Sequence, residues 1–415
     1  IDQSNFTDIA GSIGALKFSK KNLKKWMKPE KRKVEFPLGL LGSKAQIQYQ
    51  PKGVVGVISP WNFPVNLTFA PLANVFAAGN RAMIKPSEFT ERTSELMKEL
   101  IAKYYTEEEV AVVPGGPDVG AAFSKLPFAH MIFTGATSIA HQVMRAAADN
   151  LVPLTLELGG KSPVILGQSA DLDKAAARIM AGKTLNAGQI CLAPDYAFVP
   201  EAKTRDFIGA ATASVEKMFP SGLKDNDDYT SVVNQRHYER LNSYLDDARE
   251  KGAEIIEINP AGDNFTQQPH HKMAPHIVVN PTDDMKVMQD EIFGPILPIK
   301  SYTQTSEAVA YINDHERPLG LYYFGEDAAE RDMVLNNTTS GGVTVNDVIM
   351  HVAQEDLPFG GVGPSGMGAY HGRDGFYEFS HKKAVYTQTG SEVLAMVRPP
   401  YGDKFRKTVS GRMKK

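Results

Sequence analysis

The chain has 415 residues, with Lys+Arg 45 against Asp+Glu 48 for a formal net charge of -3, and 42% hydrophobic and 22% charged positions. This ordinary globular composition excludes a disordered tail protein and gives no whole-chain attraction to nucleic acid or to an anionic membrane surface. At roughly 100–200 residues per domain, two or three domains with real cores are expected.

The opening segment IDQSNFTDIAGSIGALKFSKK carries no continuous apolar core of the signal-peptide kind. No apolar run approaches the roughly 18–20 residues that a bilayer span needs, so no membrane attachment is expected. From Val54 onward, short apolar runs alternate with segments of helical spacing. VVGVI (54–58), AMIK (82–85), VAVV (110–113), HMIF (130–133) and PLTLEL (153–158) read as strands, with helices over 66–78, 90–105 and 137–148. Near-continuous apolar strands separated by helices predict a parallel sheet covered on both faces, a doubly wound α/β domain. SPVIL, YAFVP, AEIIEI, PHIVV, ILPIKSY, LGLYYFG and GGVTVN then predict a second α/β domain. The boundary falls at Gly159–Gly160, giving segments 1–160, 161–350 and a return segment 351–415 that holds the Gly-rich stretch 358–372. The tail from Arg398 is basic, with Asp403 its single acid, and reads as a solvated terminus.

Three motifs fail on context. GVGPSG (361–366) fits G-x-G-x-x-G literally, but it does not join a strand to a helix and it contains Pro364. GGKS (159–162) resembles the end of a P-loop, yet Thr155 stands where the earlier glycine is required. His270, His271 and His276 have no Cys or carboxylate at ligand spacing, so a solvated loop and no metal site are expected.

Cys191 is the single cysteine, which rules out an internal disulfide and favours a reducing, cytoplasmic compartment. Set in NAGQICLAP, it reads either as a small buried hydrophobe or as a nucleophile in polar company, beside a glycine that lets a ligand approach. Glu157 ends an apolar strand, where desolvation raises a carboxyl pKa toward general-base use; on an edge strand it would instead face solvent. Asn62, held between Pro60 and Pro64, is either a preorganised hydrogen-bond donor or a turn residue. Lys85 and Glu88, at the end of another strand, read as ligand contacts or as a surface ion pair.

Taken together, GVVGVISPWNFP, IKPSE, VVPGG, FTGATSIA, LELGGKSP, NAGQICLAP, DEIFGPILPI and PFGGVGPSGMG resemble the aldehyde dehydrogenase superfamily, in the family order, from about residue 51 to 388. CLAPDY, GMGAYHGRDGFYEFSHKK and NLKKWMKPEKRKV are similar to its class 3 branch, and within that to the bacterial coniferyl aldehyde dehydrogenases. The resemblance implies two doubly wound α/β domains plus a small β oligomerisation flap drawing on about 36–52. It implies NAD(P)-dependent oxidation of an aldehyde to an acid, with Cys191 as attacking thiolate, Glu157 as base for thioester hydrolysis and Asn62 as oxyanion donor. A free thiol needs an electropositive neighbour or a base for this, which the resemblance leads one to expect beside Cys191. Ile58, Trp61, Lys85, Glu88, Gly115, Gly135, Ala136, Ile139, Glu291 and Phe293 would line the cofactor, with Ala136 where many relatives carry Ser. Glu88 favours NAD, since a carboxylate repels a 2′-phosphate, and NADP remains open. The implied partner is a small aldehyde, aromatic by resemblance or medium-chain aliphatic as the alternative, and the implied assembly a homodimer. A CoA-acylating enzyme, a cysteine hydrolase and a non-catalytic protein retaining the fold are the competing readings.

Overall fold

The computed structural model describes residues 1–390, 395 and 398–413. A π-helical segment, Ser4–Ala10, runs directly into the helix Gly11–Trp26. Seven strands follow: β1 (Glu30–Arg32), β2 (Lys44–Pro51), β3 (Val54–Ile58), β4 (Arg81–Lys85), β5 (Val110–Val112), β6 (His130–Thr134) and β7 (Leu154–Glu157). Helices Asn66–Ala77, Glu91–Tyr104 and Thr137–Ala148 lie where the apolar spacing puts them. The second series is β8 (Pro163–Leu166), β9 (Tyr196–Pro200), β10 (Glu254–Glu257), β11 (His276–Val279), β12 (Ile296–Tyr302), β13 (Gly320–Phe324) and β14 (Gly342–Val345). The chain then returns through β15 (Gly366–Met367) and β16 (Ser380–Thr387).

The first sheet has the order β15-β7-β6-β3-β4-β5 and the second β10-β11-β12-β9-β8-β13-β14. Only β15 and β10 run antiparallel to their neighbours. Both sheets bury both faces, which is why their strands are apolar at successive positions rather than at alternate ones. In β6, Ile132 packs with Val55, Val57 and Leu72, while Met131 and Phe133 pack on the other side with Val143 and Leu156. In β8, Val164 and Leu166 join one core and Ile165 the other.

The winding fixes where a ligand can sit. The chain moves outward from β3 to β4 and β5, then returns to place β6 and β7 on the other side of β3. At such a reversal the connections leave in opposite directions and open a crevice at the carboxyl ends of β3 and β6. Trp61 and Asn62 follow β3, and Gly135 follows β6.

Several expectations change. The return segment joins earlier strands: β15 pairs with β7 in the first sheet, and β16 pairs with β2 along its whole length, from Ser380↔Pro51 to Thr387↔Lys44. The three-stranded flap, ordered β1-β2-β16, therefore starts at Glu30, and within 36–52 only β2 is strand, since 36–42 form turns. Because β15 covers its far side, β7 is not an edge strand, and the outward-facing alternative for Glu157 fails. His276 is not in a solvated loop; it opens β11, is buried, and sets its Nδ1 2.7 Å from the Ala274 carbonyl. The basic tail is an exposed helix, Asp403–Met413, and Lys414 and Lys415 lie outside the described residues. Among the described residues, no helix is long and apolar enough to cross a membrane, and no group of three His, Cys, Asp or Glu could hold a metal ion.

Candidate active site

The loop after β3, SPWNFPV, is stiffened by Pro60 and Pro64, which fix φ and offer no N–H. Thr68 Oγ1 donates to Ser59 Oγ and to the Pro64 carbonyl, both at 2.7 Å, pinning the two ends of the loop together. Asn62 Nδ2 donates to the Gln189 carbonyl at 3.1 Å, and the Asn62 carbonyl accepts from Asn186 Nδ2 at 3.1 Å. The donor loop is thus bound to the chain just ahead of Cys191.

That chain is a strained turn. After the helix Leu172–Thr184, the backbone is left-handed at Asn186 (φ 49°), Ala187 (φ 51°) and Gly188 (φ 72°). Only glycine fits at 188, where a Cβ would stand 2.4 Å from the Gly294 carbonyl oxygen. Gln189 holds the turn with its whole amide: Nε2 donates to the Asn186 carbonyl (2.9 Å) and the Ser231 carbonyl (3.0 Å), and Oε1 accepts from Val233 N–H (2.9 Å). The polar residues that set Cys191 apart in the sequence are the braces of its turn.

Cys191 is half-buried and lines a cavity of about 240 Å³. The same cavity is lined by Trp61, Asn62, Gly135, Ala136, Glu157, Glu291 and Phe293, all candidates from the sequence. Of the two neighbours expected for the thiol, an electropositive group or a base, the cavity brings the carboxyl of Glu157. Burial first, and then the charges of Glu291 and Glu157, push its pKa up, against backbone N–H bonds from Cys191 and Leu192.

Glu157 is 2% exposed, and neither carboxyl oxygen has a hydrogen-bond partner. Burial, reinforced by Glu378, raises its pKa well above the usual carboxylate range. Glu291 lies against Gly159, where a Cβ would come within 2.3 Å of its oxygens. Burial, and then Asp195, pushes its pKa up to about 8. Phe293 has φ 49° and meets the Trp61 ring edge-on at 5.4 Å.

Arg240 and His237 also line this cavity, Lys161 and Lys183 lie among the polar groups behind it, and all four escaped sequence reading. Arg240 donates to the Ile292 carbonyl at 2.7 Å and the Glu291 carbonyl at 3.3 Å. His237, 5.3 Å from Trp61, keeps a buried Nδ1 without a partner. Lys161 pairs with Asp195 at 2.5 Å and donates to the Val287 and Asp290 carbonyls, both at 2.8 Å. Lys183 Nζ is buried without a hydrogen-bond partner, and burial lowers its pKa to about 8. Lys161 sits inside the quoted GGKSP and could have been singled out there; the other three lie on helices whose spacing gives no sign that they turn toward one cleft.

Ile58, Lys85, Glu88, Gly115 and Ile139 do not line this cavity. Ile58 and Lys85 close β3 and β4, Gly115 (φ 151°) follows β5, and Ile139 is half-exposed on the helix after β6. They follow parallel strands, so they lie along one carboxyl edge of the sheet. Lys85 Nζ and Glu88 Oε2 form an ion pair at 3.0 Å. The helix Thr137–Ala148 begins beside the cavity with Ala136 at its cap and no side-chain cap bond, leaving first-turn N–H groups for an anion. An uncapped helix start, a ribose-sized polar pair and a deep cavity at the winding reversal fit a dinucleotide.

The sequence profile of the aldehyde dehydrogenase family matches residues 1–385. The chain belongs to this family. It is 64% identical over 417 residues to a Caulobacter vibrioides protein named "Probable coniferyl aldehyde dehydrogenase", covering 100% of this chain and 86% of that one. It is 55% identical over 411 residues to the "Coniferyl aldehyde dehydrogenase" of a Pseudomonas species, strain HR199, covering 99% and 84%. Among solved structures, the substrate-bound state of Staphylococcus aureus AldH matches with a TM-score of 0.92 at 38% identity, over 98% of this chain and 87% of that one. This aldehyde dehydrogenase is an oxidoreductase that converts aldehydes to carboxylic acids with a nicotinamide cofactor.

Proposed function

We propose that Cys191 is the nucleophile of this aldehyde dehydrogenase, Asn62 its oxyanion donor and Glu157 its hydrolytic base. The carrying observation is that these three side chains, far apart in the chain, line one cavity at the carboxyl ends of β3 and β6. The Cys191 thiol gives its proton to solvent water and its sulfur attacks the aldehyde carbon, which forms a tetrahedral thiohemiacetal. Asn62 uses one N–H on the Gln189 carbonyl, which leaves the other for the developing oxyanion together with the Cys191 N–H. A nicotinamide held in the cavity would supply the hydride acceptor by which the carbon on Cys191 reaches the thioester level. Glu157 then takes a proton from water, whose oxygen attacks the thioester and frees the acid. Gly135, Ala136, Glu291 and Phe293 would hold the cofactor in the cavity, with Lys85 and Glu88 at its ribose end. Glu88 is held in place by Lys85, and its carboxylate favours a free 2′-hydroxyl and hence NAD over NADP.

For substrate, an aromatic aldehyde of the coniferyl type is supported by the two relatives that carry that name. Comparing kcat/KM for coniferyl aldehyde, benzaldehyde and hexanal, each with NAD and NADP, tests both choices. Coniferyl aldehyde with NAD is expected to lead by about tenfold or more, the range a well-fitted pocket supplies; a lead for hexanal would overturn the substrate reading. Cys191→Ala is expected to abolish NADH formation, and near wild-type turnover in that variant would remove the mechanism. The free edge of β16 in the flap supports pairing into a homodimer, which light scattering would read as twice the chain mass. The single thiol supports a cytoplasmic location.

A further inference from the structure

Both loops of the site lead back to the first ten residues of the chain. Gln3 ties the Cys191 turn to the 228–230 segment: Oε1 accepts from Asn186 N–H at 2.9 Å and from Thr230 Oγ1 at 3.0 Å, while Nε2 donates to the Asp228 carbonyl at 2.7 Å. Asp8, 9% exposed, accepts from Asn66 N–H at 2.8 Å and Val65 N–H at 3.2 Å through Oδ1. Those two N–H groups open the helix Asn66–Ala77, which has no side-chain cap of its own and directly follows the Asn62 loop. The approach is built in: at Gly11 a Cβ would stand 2.6 Å from the Asn66 side-chain nitrogen.

The physical need for these contacts lies in the turn. A left-handed conformation is unfavourable for a non-glycine residue and persists only where its surroundings over-determine it. Asn186 and Ala187 are two in succession, immediately before the Cys191 loop. Asn186 is also the link between the loops, donating through Nδ2 to the Asn62 carbonyl at 3.1 Å and the Gln189 carbonyl at 3.3 Å. Gln3 holds the backbone of the residue whose side chain sets the spacing of nucleophile and donor. Asp8 fixes the other end of the donor loop.

We propose that Gln3 and Asp8 are positioning residues: Gln3 holds the Cys191 turn in its left-handed form, and Asp8 anchors the Asn62 loop against it. The proposal rests on the reading of Cys191 and Asn62 given above. It predicts lost reactivity of the thiol without a matching loss of cofactor affinity, because neither residue lies at the cofactor edge.

The test compares Gln3→Ala, Gln3→Glu and Asp8→Ala with the wild-type enzyme. Three quantities are read: kcat and the KM for NAD, the rate of Cys191 alkylation by iodoacetamide, and the melting temperature. Gln3→Ala is expected to lower kcat and the alkylation rate by about tenfold with the KM for NAD within twofold, and Gln3→Glu, which keeps the acceptor, to recover most of both. Asp8→Ala is expected to lower kcat severalfold and to leave alkylation nearer to wild type, since it acts on the donor loop. Alkylation and kcat within twofold of wild type in a folded Gln3→Ala variant would overturn the role of Gln3. A loss that tracks melting temperature equally across the three variants, with no recovery in Gln3→Glu, would reduce both residues to general stabilisers. Cys191→Ala, run alongside, separates the two levels: if it stays active, the nucleophile reading itself fails, whatever Gln3 does.

Discussion

Glu157 and Asp195 are both buried carboxylates beside the Cys191 cleft, 2% and 3% exposed, and they are handled in opposite ways. Asp195 meets Lys161 at 2.5 Å through one oxygen and accepts from Ile292 N–H at 2.9 Å through the other. Glu157 has no partner on either oxygen. A buried charge is tolerated when paired and hydrogen-bonded; unpaired, it takes up a proton. The seven-stranded sheet thus compensates its acid, and the six-stranded sheet leaves its acid free to exchange a proton with whatever enters the cavity. The contrast separates a carboxylate that holds the wall together from one kept for chemistry.

The largest effect expected from this contrast is on turnover. Glu157→Gln should cut kcat by about 10²–10⁴, the usual contribution of a positioned base, with the melting temperature unchanged or raised. Single-turnover NADH release should persist in that variant while steady-state turnover falls, because the base acts after the hydride has left. Asp195→Ala should do the reverse, costing about 3–5 kcal/mol in denaturant unfolding by stranding Lys161 beside its buried partners. Should Asp195→Ala leave stability intact while Glu157→Gln unfolds the protein, the distinction is lost.

A pH effect sharpens the comparison. The charge on Glu291 is the first electrostatic cause of the raised Cys191 pKa, after burial. Glu291→Gln should therefore shift the iodoacetamide profile of Cys191 to lower pH. The sign for stability follows from the same group. Between its ordinary value of 4.5 and about 8, folded Glu291 holds a proton that the unfolded chain has released. Stability falls as pH rises through that window, and the Gln variant should show a flatter dependence in urea titrations there. The smallest effect is expected at the cofactor edge. Glu88→Gln loses a partly exposed pair worth about 0–1 kcal/mol, so its melting point should barely move while NADP use rises against NAD.

The sheets were legible because burial on both faces writes an unbroken apolar run into each strand, and β3, β4, β6 and β7 fall where VVGVI, AMIK, HMIF and PLTLEL place them. The flap was harder. β1 is three residues of charged sequence, and β16 reads SHKKAVYT, so neither carries an apolar signature and both depend on pairing with β2. Within the site, Cys191 could be singled out as the single thiol in polar company, Glu157 as a carboxyl in an apolar strand, and Asn62 as an amide between two prolines. Arg240 and His237 lie on a helix that is polar along most of its length, and nothing local distinguishes the residues turned to the cleft from those turned to water. The charge around the thiol was hidden for a related reason: local sequence names the residues beside Cys191 in the chain, whereas Glu291 reaches it through the fold.

The pairing of Gly366 with Glu157 bears on how the molecule matures. Strand β15, which pairs with β7 there, is made more than two hundred residues after it. During synthesis, the parallel strands around β3 can assemble while this edge of β7 is still without its neighbour, and the first sheet is completed only when residues from far along the chain come back to pair there.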